Sequence, residues 1–243
     1  MAQYDAFAPF YDAVNGEPEQ LISLVLGAIA RFEPGARSVL ELGCGTGAVL
    51  AGLGSELSLA GIDLSDSMLG YARRRCPGAR LVQGDIRLVD LGTTFDVVIC
   101  VLDTLNHVTT FEGWQSVFSR AAAHLREGGL FIFDVNTIGR FRELGDTAPW
   151  VHDFDGHTLV MDVDFSHEPL ALWNIRIFEQ TSGDTFRLRH ETITELGVAL
   201  DEVRGSLLSE FDLLEESDFE GGPPDDNSAR AFFVMRRRSR GRS

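Results

Sequence analysis

Ser38-Val-Leu-Glu-Leu-Gly-Cys-Gly-Thr-Gly47 decides the fold. Val39 to Leu42 read as a buried strand, Gly43, Gly45 and Gly47 as a tight turn, and Thr46 to Leu53 as the opening of a helix. Glycine permits positive φ and admits a ligand where a Cβ would block it. The helix that follows aims unpaired N–H groups back at the turn, so the stretch suits a nucleotide-like ligand. Glu41, just ahead of the first glycine, is the unusual part. A dinucleotide site keeps this entry free for a pyrophosphate, whereas a carboxylate suits a ligand with positive charge or hydroxyl donors.

Downstream, Ser58-Leu-Ala-Gly-Ile-Asp63 reads as a second strand ending in an acid, at a distance from Glu41 that suits a grip on a ribose diol. Ser65 then caps a helix through Arg75, and Leu64 and Met68 are placed to face a flat base. Arg80 to Ile86 repeats the theme, an apolar run ending in Asp85. Phe95 to Val101 is a continuous apolar strand of the kind buried on both faces. A helix over Phe111 to Arg126 leads through Glu127-Gly128-Gly129 into strand Leu130 to Phe133, followed by Asp134 and Asn136. This alternation predicts a doubly wound α/β sheet whose ligands sit at the carboxyl ends of its strands.

Upstream, a helix from Pro18 to Phe32 carries an apolar stripe. Before it, Tyr4-Asp-Ala-Phe-Ala-Pro-Phe-Tyr11-Asp12 either packs its rings on the core or closes over the ligand as a lid. From Ile138 to Leu196 the rhythm changes to period two without an intervening helix, which predicts a small antiparallel insertion of three or four strands. Ala199 to Leu208 is a last helix, and Glu210 to Phe219 and Ala229 to Arg237 form a closing hairpin. The expected organisation is a lid over 1–16, a core over 17–137 and 195–238, a substrate cap over 138–194, and a frayed basic tail over 239–243.

Composition narrows the function. The net charge is -16, and five of the 21 basic residues, all arginine, fall in the last eight positions, leaving -21 on the rest. Such a body repels phosphate backbones, which argues against nucleic acid as substrate. Leu21 to Ala30 is too short to span a bilayer and has no basic flank, so neither a membrane nor an export signal is expected. Three cysteines without metal-type spacing fit a reducing cytoplasm, and no metal site is expected. The oligomeric state is open, a homodimer being one option.

Glu41-Leu-Gly-Cys-Gly-Thr-Gly47, Gly61-Ile-Asp63, Gly84-Asp85-Ile86, Phe95-Asp-Val-Val-Ile and Arg126-Glu-Gly-Gly-Leu-Phe-Ile-Phe-Asp134, in that order and spacing, resemble the class I S-adenosylmethionine-dependent methyltransferases. The resemblance covers residues 36 to 136 and implies a seven-stranded Rossmann-like sheet with a reversed last strand. It implies S-adenosylmethionine as cofactor and S-adenosylhomocysteine as product. Gly43, Gly45 and Gly47 would pass the methionine and ribose portion, with Glu41 beneath it and Asp63 on the ribose hydroxyls. Asp85 would accept from the adenine amino group, Leu64, Met68 and Ile86 would enclose the ring, and Tyr11 and Cys100 would complete the cofactor site. The N-terminal segment and the insertion resemble those of small-molecule N-methyltransferases acting on amino sugars and natural-product amines.

Methyl transfer from a sulfonium requires alignment and exclusion of water more than acid or base work, although a protonated amine benefits from a group that takes its proton. His107 is the candidate base and Asp103 a candidate partner for a cationic amine, each with a purely structural alternative. Asn106, Asn136, Trp150, Arg176 and His190 are candidate substrate contacts. Strand alternation puts Trp173, Ile175 and Ile177 on one face of the insertion and Asn174, Arg176 and Phe178 on the other, so only one set looks inward. The expected activity is methylation of a small molecule at nitrogen. Oxygen or carbon acceptors, an RNA substrate, a non-catalytic cofactor-binding protein and an NAD-linked dehydrogenase are the alternatives, the last disfavoured by the tight glycine spacing and the antiparallel finish.

Overall fold

The computed structural model describes Tyr4 and residues 7–239. The sequence readings that involve Asp5, Arg240 and Arg242 lie outside the described residues. After a 3-10 turn at Ala8–Phe10 come α1 (Tyr11–Asn15) and α2 (Glu19–Phe32). The core then alternates β1 (Ser38–Leu42), α3 (Ala48–Gly52), β2 (Ser58–Asp63), α4 (Asp66–Arg75), β3 (Arg80–Gln83), β4 (Phe95–Cys100), α5 (Phe111–His124) and β5 (Leu125–Asn136). Next come α6 (Ile138–Gly145) and the strands β6 (Trp150–Phe154), β7 (His157–His167), β8 (Leu170–Ser182) and β9 (Thr185–Leu196). The chain returns to the core with α7 (Leu200–Leu207), β10 (Phe211–Asp218) and β11 (Arg230–Arg237).

The main sheet has the order β10-β11-β5-β4-β1-β2-β3, and the second sheet β6-β7-β8-β9. Strand β11 is antiparallel to both its neighbours, as the closing hairpin implied, whereas β1, β2, β3, β4 and β5 run parallel. Alternation splits the central strands between two cores. Leu40, Leu42, Val98, Cys100, Phe131 and Phe133 face α5, where Trp114, Val117, Phe118 and Ala121 recur at helical spacing. Val39, Val97, Ile99, Leu130 and Ile132 face α2, which presents Leu21, Val25, Ala28 and Ile29. Among the described residues no helix is long and apolar enough to cross a membrane.

Three sequence expectations need correction. A helix does intervene after the fifth strand: α6 is opened by Thr137, whose hydroxyl accepts from the Arg140 N–H at 3.1 Å. Gly139 lies within α6 because the Asp226 carbonyl would be 2.4 Å from any Cβ there, and that small residue masked the helical pattern. Helix α5 ends at His124, not Arg126, and β5 begins at once, carrying Glu127-Gly128-Gly129 as a register shift with Gly128 at φ 75°. The third strand stops at Gln83, which leaves Asp85 in the loop beyond it.

The two sheets are joined at Asn106, fully buried in the loop after β4. Its amide donates to the carbonyls of Asn136, at 3.0 Å, and Leu196, at 2.9 Å, and its oxygen accepts from the Asn136 N–H at 3.0 Å. One side chain therefore holds the ends of β5 and β9 against the loop between them. Asn106→Ala would strand these backbone groups without partners, at about 1–3 kcal/mol each. A loss of about 3 kcal/mol or more in urea unfolding is expected.

Candidate active site

A cavity of about 390 Å³ opens at the carboxyl ends of β1, β2, β3 and β4. Its floor is the glycine turn, and the three glycines serve different purposes. Gly45, at φ 52°, has nothing within 4 Å of an added Cβ, leaving the backbone open to the cavity. Gly43, at φ 76°, lies under Thr104, whose Cγ2 would be 2.2 Å from a Cβ, so it makes room for the wall of the site. Gly47 faces away from the cavity and lets α4 approach, with Ala72 at 3.2 Å from an added Cβ. Gly47 is thus a packing position, outside the lining of the cavity that Gly43 and Gly45 share.

Glu41 lines the cavity, is 2 % exposed, and has one carboxylate oxygen, Oε2, without a hydrogen-bond partner. Burial first, and then the neighbouring Asp63, raise its pKa well above the usual glutamate range. Asp63, at the tip of β2, also lines the cavity. Its carboxylate accepts from the Gly45 and Ser65 N–H groups, both at 2.8 Å, and so holds the turn in place. Leu64, Met68 and Ile86 form an apolar end wall, with Leu64 the most open of the three. Asp85 lies beside them in a two-pronged grip from Arg87, whose hydrogen bonds hold its pKa below the usual range.

At the other end Tyr4, Tyr11, Leu102, Thr104, His107, Val108 and Thr109 converge. The Tyr4 hydroxyl is 3.0 Å from His107 Nε2. Burial raises the Tyr4 pKa and lowers that of His107, the latter against the opposing pull of Asp103, so a neutral phenol shares this hydrogen bond with a neutral imidazole. The N-terminal segment is tethered at two points. Glu191 of β9 accepts the backbone N–H of Tyr4 and, at 3.0 Å, that of Phe7. Asp12 accepts from the Thr46 hydroxyl at 2.6 Å and pairs with Arg75 at 3.1 Å. Phe7 and Phe10 pack on Leu159, Ile175, Ile177 and Ile193 of the second sheet, while Tyr4 and Tyr11 line the cavity.

Several expected contacts do not reach the cavity. Cys100 is fully buried among the side chains facing α5, because alternation along β4 turns it away from the opening. Leu102 and Thr104 stand in its place. Asp103 is outside the lining and bonds Arg230 at 2.8 Å, while Arg230 also reaches Asp134 at 3.2 Å. Asp134, fully buried, accepts from the N–H groups of Leu102 at 3.2 Å and Asp103 at 2.8 Å. These two residues take positive φ, 57° and 52°, which side chains of their size rarely adopt, and Asp134 anchors that turn. Asn106 and Asn136 are structural, Asn136 donating to Glu195 at 3.1 Å. Arg176 and His190 pair across β8 and β9 on the outer face, opposite the buried Ile175 and Ile177. Trp150 stacks on His152 at the edge strand, away from the cavity.

The sequence reading named Tyr4 only as part of the N-terminal segment and did not single out Thr104, Glu191, Glu195 or Arg230. Period two in β9 already placed Glu191, Ile193 and Glu195 on one face, and two acids on an otherwise buried face were the available signal. It also expected no metal-type grouping, yet Asp103, His107 and Glu195 bring ligand-type atoms within 4.8 Å of one another. Each is already engaged within the protein, by Arg230, Tyr4 and Asn136 respectively.

The glycine turn, acid-tipped strands and reversed last strand define a Rossmann-like fold. Residues 39–129 match the family model described as a methyltransferase domain. Over these residues the chain is similar to methyltransferase domains in sequence, and its strand order fits that likeness. It is 35% identical over 136 residues to a dTDP-4-amino-2,3,4,6-tetradeoxy-D-glucose N,N-dimethyltransferase of Saccharopolyspora spinosa. That match spans 52% of this chain and 53% of the relative, about half of each. In fold it is similar to an S-adenosylmethionine-dependent methyltransferase from Clostridium acetobutylicum, with a TM-score of 0.85 at 21% identity over 97% of this chain and 99% of the other. It is also similar to an amino pentose methyltransferase from Micromonospora echinaspora solved with S-adenosylmethionine, with a TM-score of 0.76 at 23% identity over 98% of both chains.

Glu41 offers a direct test of the site's electrostatics. Its pKa is raised by folding, so the unfolded chain loses the proton first and stability falls as pH rises above the ordinary glutamate value of about 4.3. In the ligand-free protein Glu41→Gln should therefore unfold at a higher temperature than the parent near pH 8 and at nearly the same temperature near pH 4. A larger gain at the acidic end would contradict this assignment.

Proposed function

We propose that the protein transfers a methyl group from S-adenosylmethionine to an amine nitrogen of a small molecule. The observation that carries this reading is a single cavity joining acid-tipped strands at one end to the Tyr4–His107 pair at the other. The residues fit the cofactor. The open backbone at Gly45 provides a cradle, and the orphaned oxygen of buried Glu41 suits a cationic or hydroxyl-bearing ligand. In this reading Asp63 takes the ribose diol, and Leu64, Met68, Ile86 and Asp85 take the base. When bound, the cofactor supplies an activated methyl group on a sulfonium whose departure leaves a neutral thioether.

This chain's own residues orient the acceptor and manage its proton. Thr104, Val108 and Thr109 shape the wall past which the nitrogen approaches, and Tyr4 and Tyr11 close it off from water. The protonated amine gives its proton to neutral His107, directly or through the Tyr4 hydroxyl. The nitrogen lone pair then forms the bond to carbon, and the carbon–sulfur pair remains on sulfur. The names of the relatives, one of them a sugar N,N-dimethyltransferase, support nitrogen as the acceptor atom. The acidic charge speaks against a nucleic-acid substrate, and three buried free thiols fit a reducing compartment.

Calorimetry should detect S-adenosylmethionine binding, and Asp63→Ala should weaken it by about 10-fold or more, as expected on losing charge-assisted hydrogen bonds. Incubation with amine and phenol panels should yield products heavier by one methyl among the amines; transfer confined to hydroxyl or carbon would sink the nitrogen assignment. The acidic limb of kcat/KM should lie below the ordinary imidazole value of about 6.5, because burial lowers the His107 pKa. In His107→Asn that limb should disappear.

A further inference from the structure

Among the described residues that line the cavity acids outnumber arginines, and the nearby arginines are engaged in ion pairs. The chain has no lysine, and Arg87, the arginine lining the cavity, is clamped on Asp85. Asp85 and Arg87 follow β3, three strand positions from β4. At about 4.8 Å per strand that is about 14 Å from the loop carrying His107. Nearer His107, Arg230 is divided between Asp103 and Asp134. On the second sheet Arg187 and Arg189 meet Glu179, and Arg176 meets Asp162. Across the acceptor end stand Asp103 and Glu195, grouped with His107, and Glu191, which together with them pushes up the Tyr4 pKa after burial itself. Glu41, which also lines the cavity, has one buried carboxylate oxygen without a partner.

Phosphate recognition is built from arginine forks, lysines or clusters of backbone N–H groups. A diphosphate entering here would meet carboxylates in excess and would have to displace existing ion pairs. An ammonium would meet the opposite field: it is attracted at long range and, once inside, compensates buried acids that Arg230 alone does not balance. We propose, building on the methyltransferase reading above, that the acceptor is a free cationic amine carrying no phosphate, unlike the nucleotide-linked amine named for the Saccharopolyspora spinosa relative. Glu195, 2 % exposed on the inward face of β9, is the residue that sets this preference together with Asp103. It acts through the potential at the cavity wall and not by touching the reacting atoms.

The test compares matched acceptors on the cofactor-loaded protein: an amino sugar as its methyl glycoside and the same amino sugar linked to dTDP. Rates are followed from about 0.01 M to about 1 M ionic strength, over which the screening length falls from about 30 Å to about 3 Å. The glycoside should be methylated with a KM that rises several-fold with salt, and the dTDP-linked compound should be at least about 10-fold poorer in kcat/KM, more than 1.4 kcal/mol in the transition state. Glu195→Gln should raise KM for the glycoside more than it lowers kcat and should flatten the salt dependence, with cofactor affinity by calorimetry as the check on folding. Preference for the dTDP-linked amine, or a KM that falls with salt, would overturn the proposal while leaving the methyltransferase reading intact. Turnover of the diphosphate compound only with added magnesium or manganese would also overturn it, making Asp103, His107 and Glu195 a metal site instead. Cofactor binding without methyl transfer to either compound or to any amine of the panel would defeat both.

Discussion

One buried guanidinium holds together the end of the molecule that carries His107. Arg230 lies between Asp134, at the end of β5, and Asp103, beyond the end of β4. Asp134 in turn anchors the left-handed Leu102–Asp103 turn through two backbone N–H groups. Without a cation, these carboxylates would face a desolvation cost of several kcal/mol each, and a turn that costs about 1–2 kcal/mol per left-handed residue would lose its support. The geometry explains what the reversed strand contributes. Because β11 runs against β4 and β5, its first residue, and not its last, reaches their carboxyl ends, where Arg230 pairs with Asn136 in the ladder. A parallel strand in that position would deliver its opening residue to the opposite edge of the sheet.

The contrast between what was legible and what was not follows from the range of the interactions. The glycine turn, the acids ending near β2 and β3, and the switch to period two after β5 depend on residues close in sequence, so Asp63, Asp85 and the second sheet could be read from local pattern. Cys100 was misread because it is still the last residue of β4 and faces the core against α5, whereas the opening is lined by Leu102 and Thr104 in the turn beyond the strand, where the backbone becomes left-handed. Asp103, Asn106 and Asn136 sit in a segment rich in functional residue types, and their hydrogen bonds reach partners 30 to 127 positions away. Nothing local distinguishes such a brace from a substrate contact. Arg176 and His190 failed for a simpler reason, since the period specifies two faces but not which of them is covered.

The buried acids place stability and recognition in opposition. Burial raises the pKa values of Glu41, Asp134 and Glu195, so each buried charge carries a desolvation cost that a cation beside it offsets. Substitutions to glutamine or asparagine would relieve desolvation while reducing the attraction for a cation. Two of these acids have fixed partners that offset part of the cost, Arg230 for Asp134 and Asn136 for Glu195.

The tether between Glu191 and the N-terminal segment separates anchoring from lining. Its donors are the backbone N–H groups of Tyr4 and Phe7, which every amino acid except proline supplies. These two contacts are therefore indifferent to which side chains stand at positions 4 and 7, whereas Asp12 and the rings of Phe7 and Phe10 hold the rest of the segment by side-chain contacts. Of the two residues of the segment that line the cavity, Tyr4 and Tyr11, the first is thus fixed at its backbone independently of its ring. A substitution of the Tyr4 ring alters the cavity wall and leaves the hydrogen bond from its backbone to β9 available.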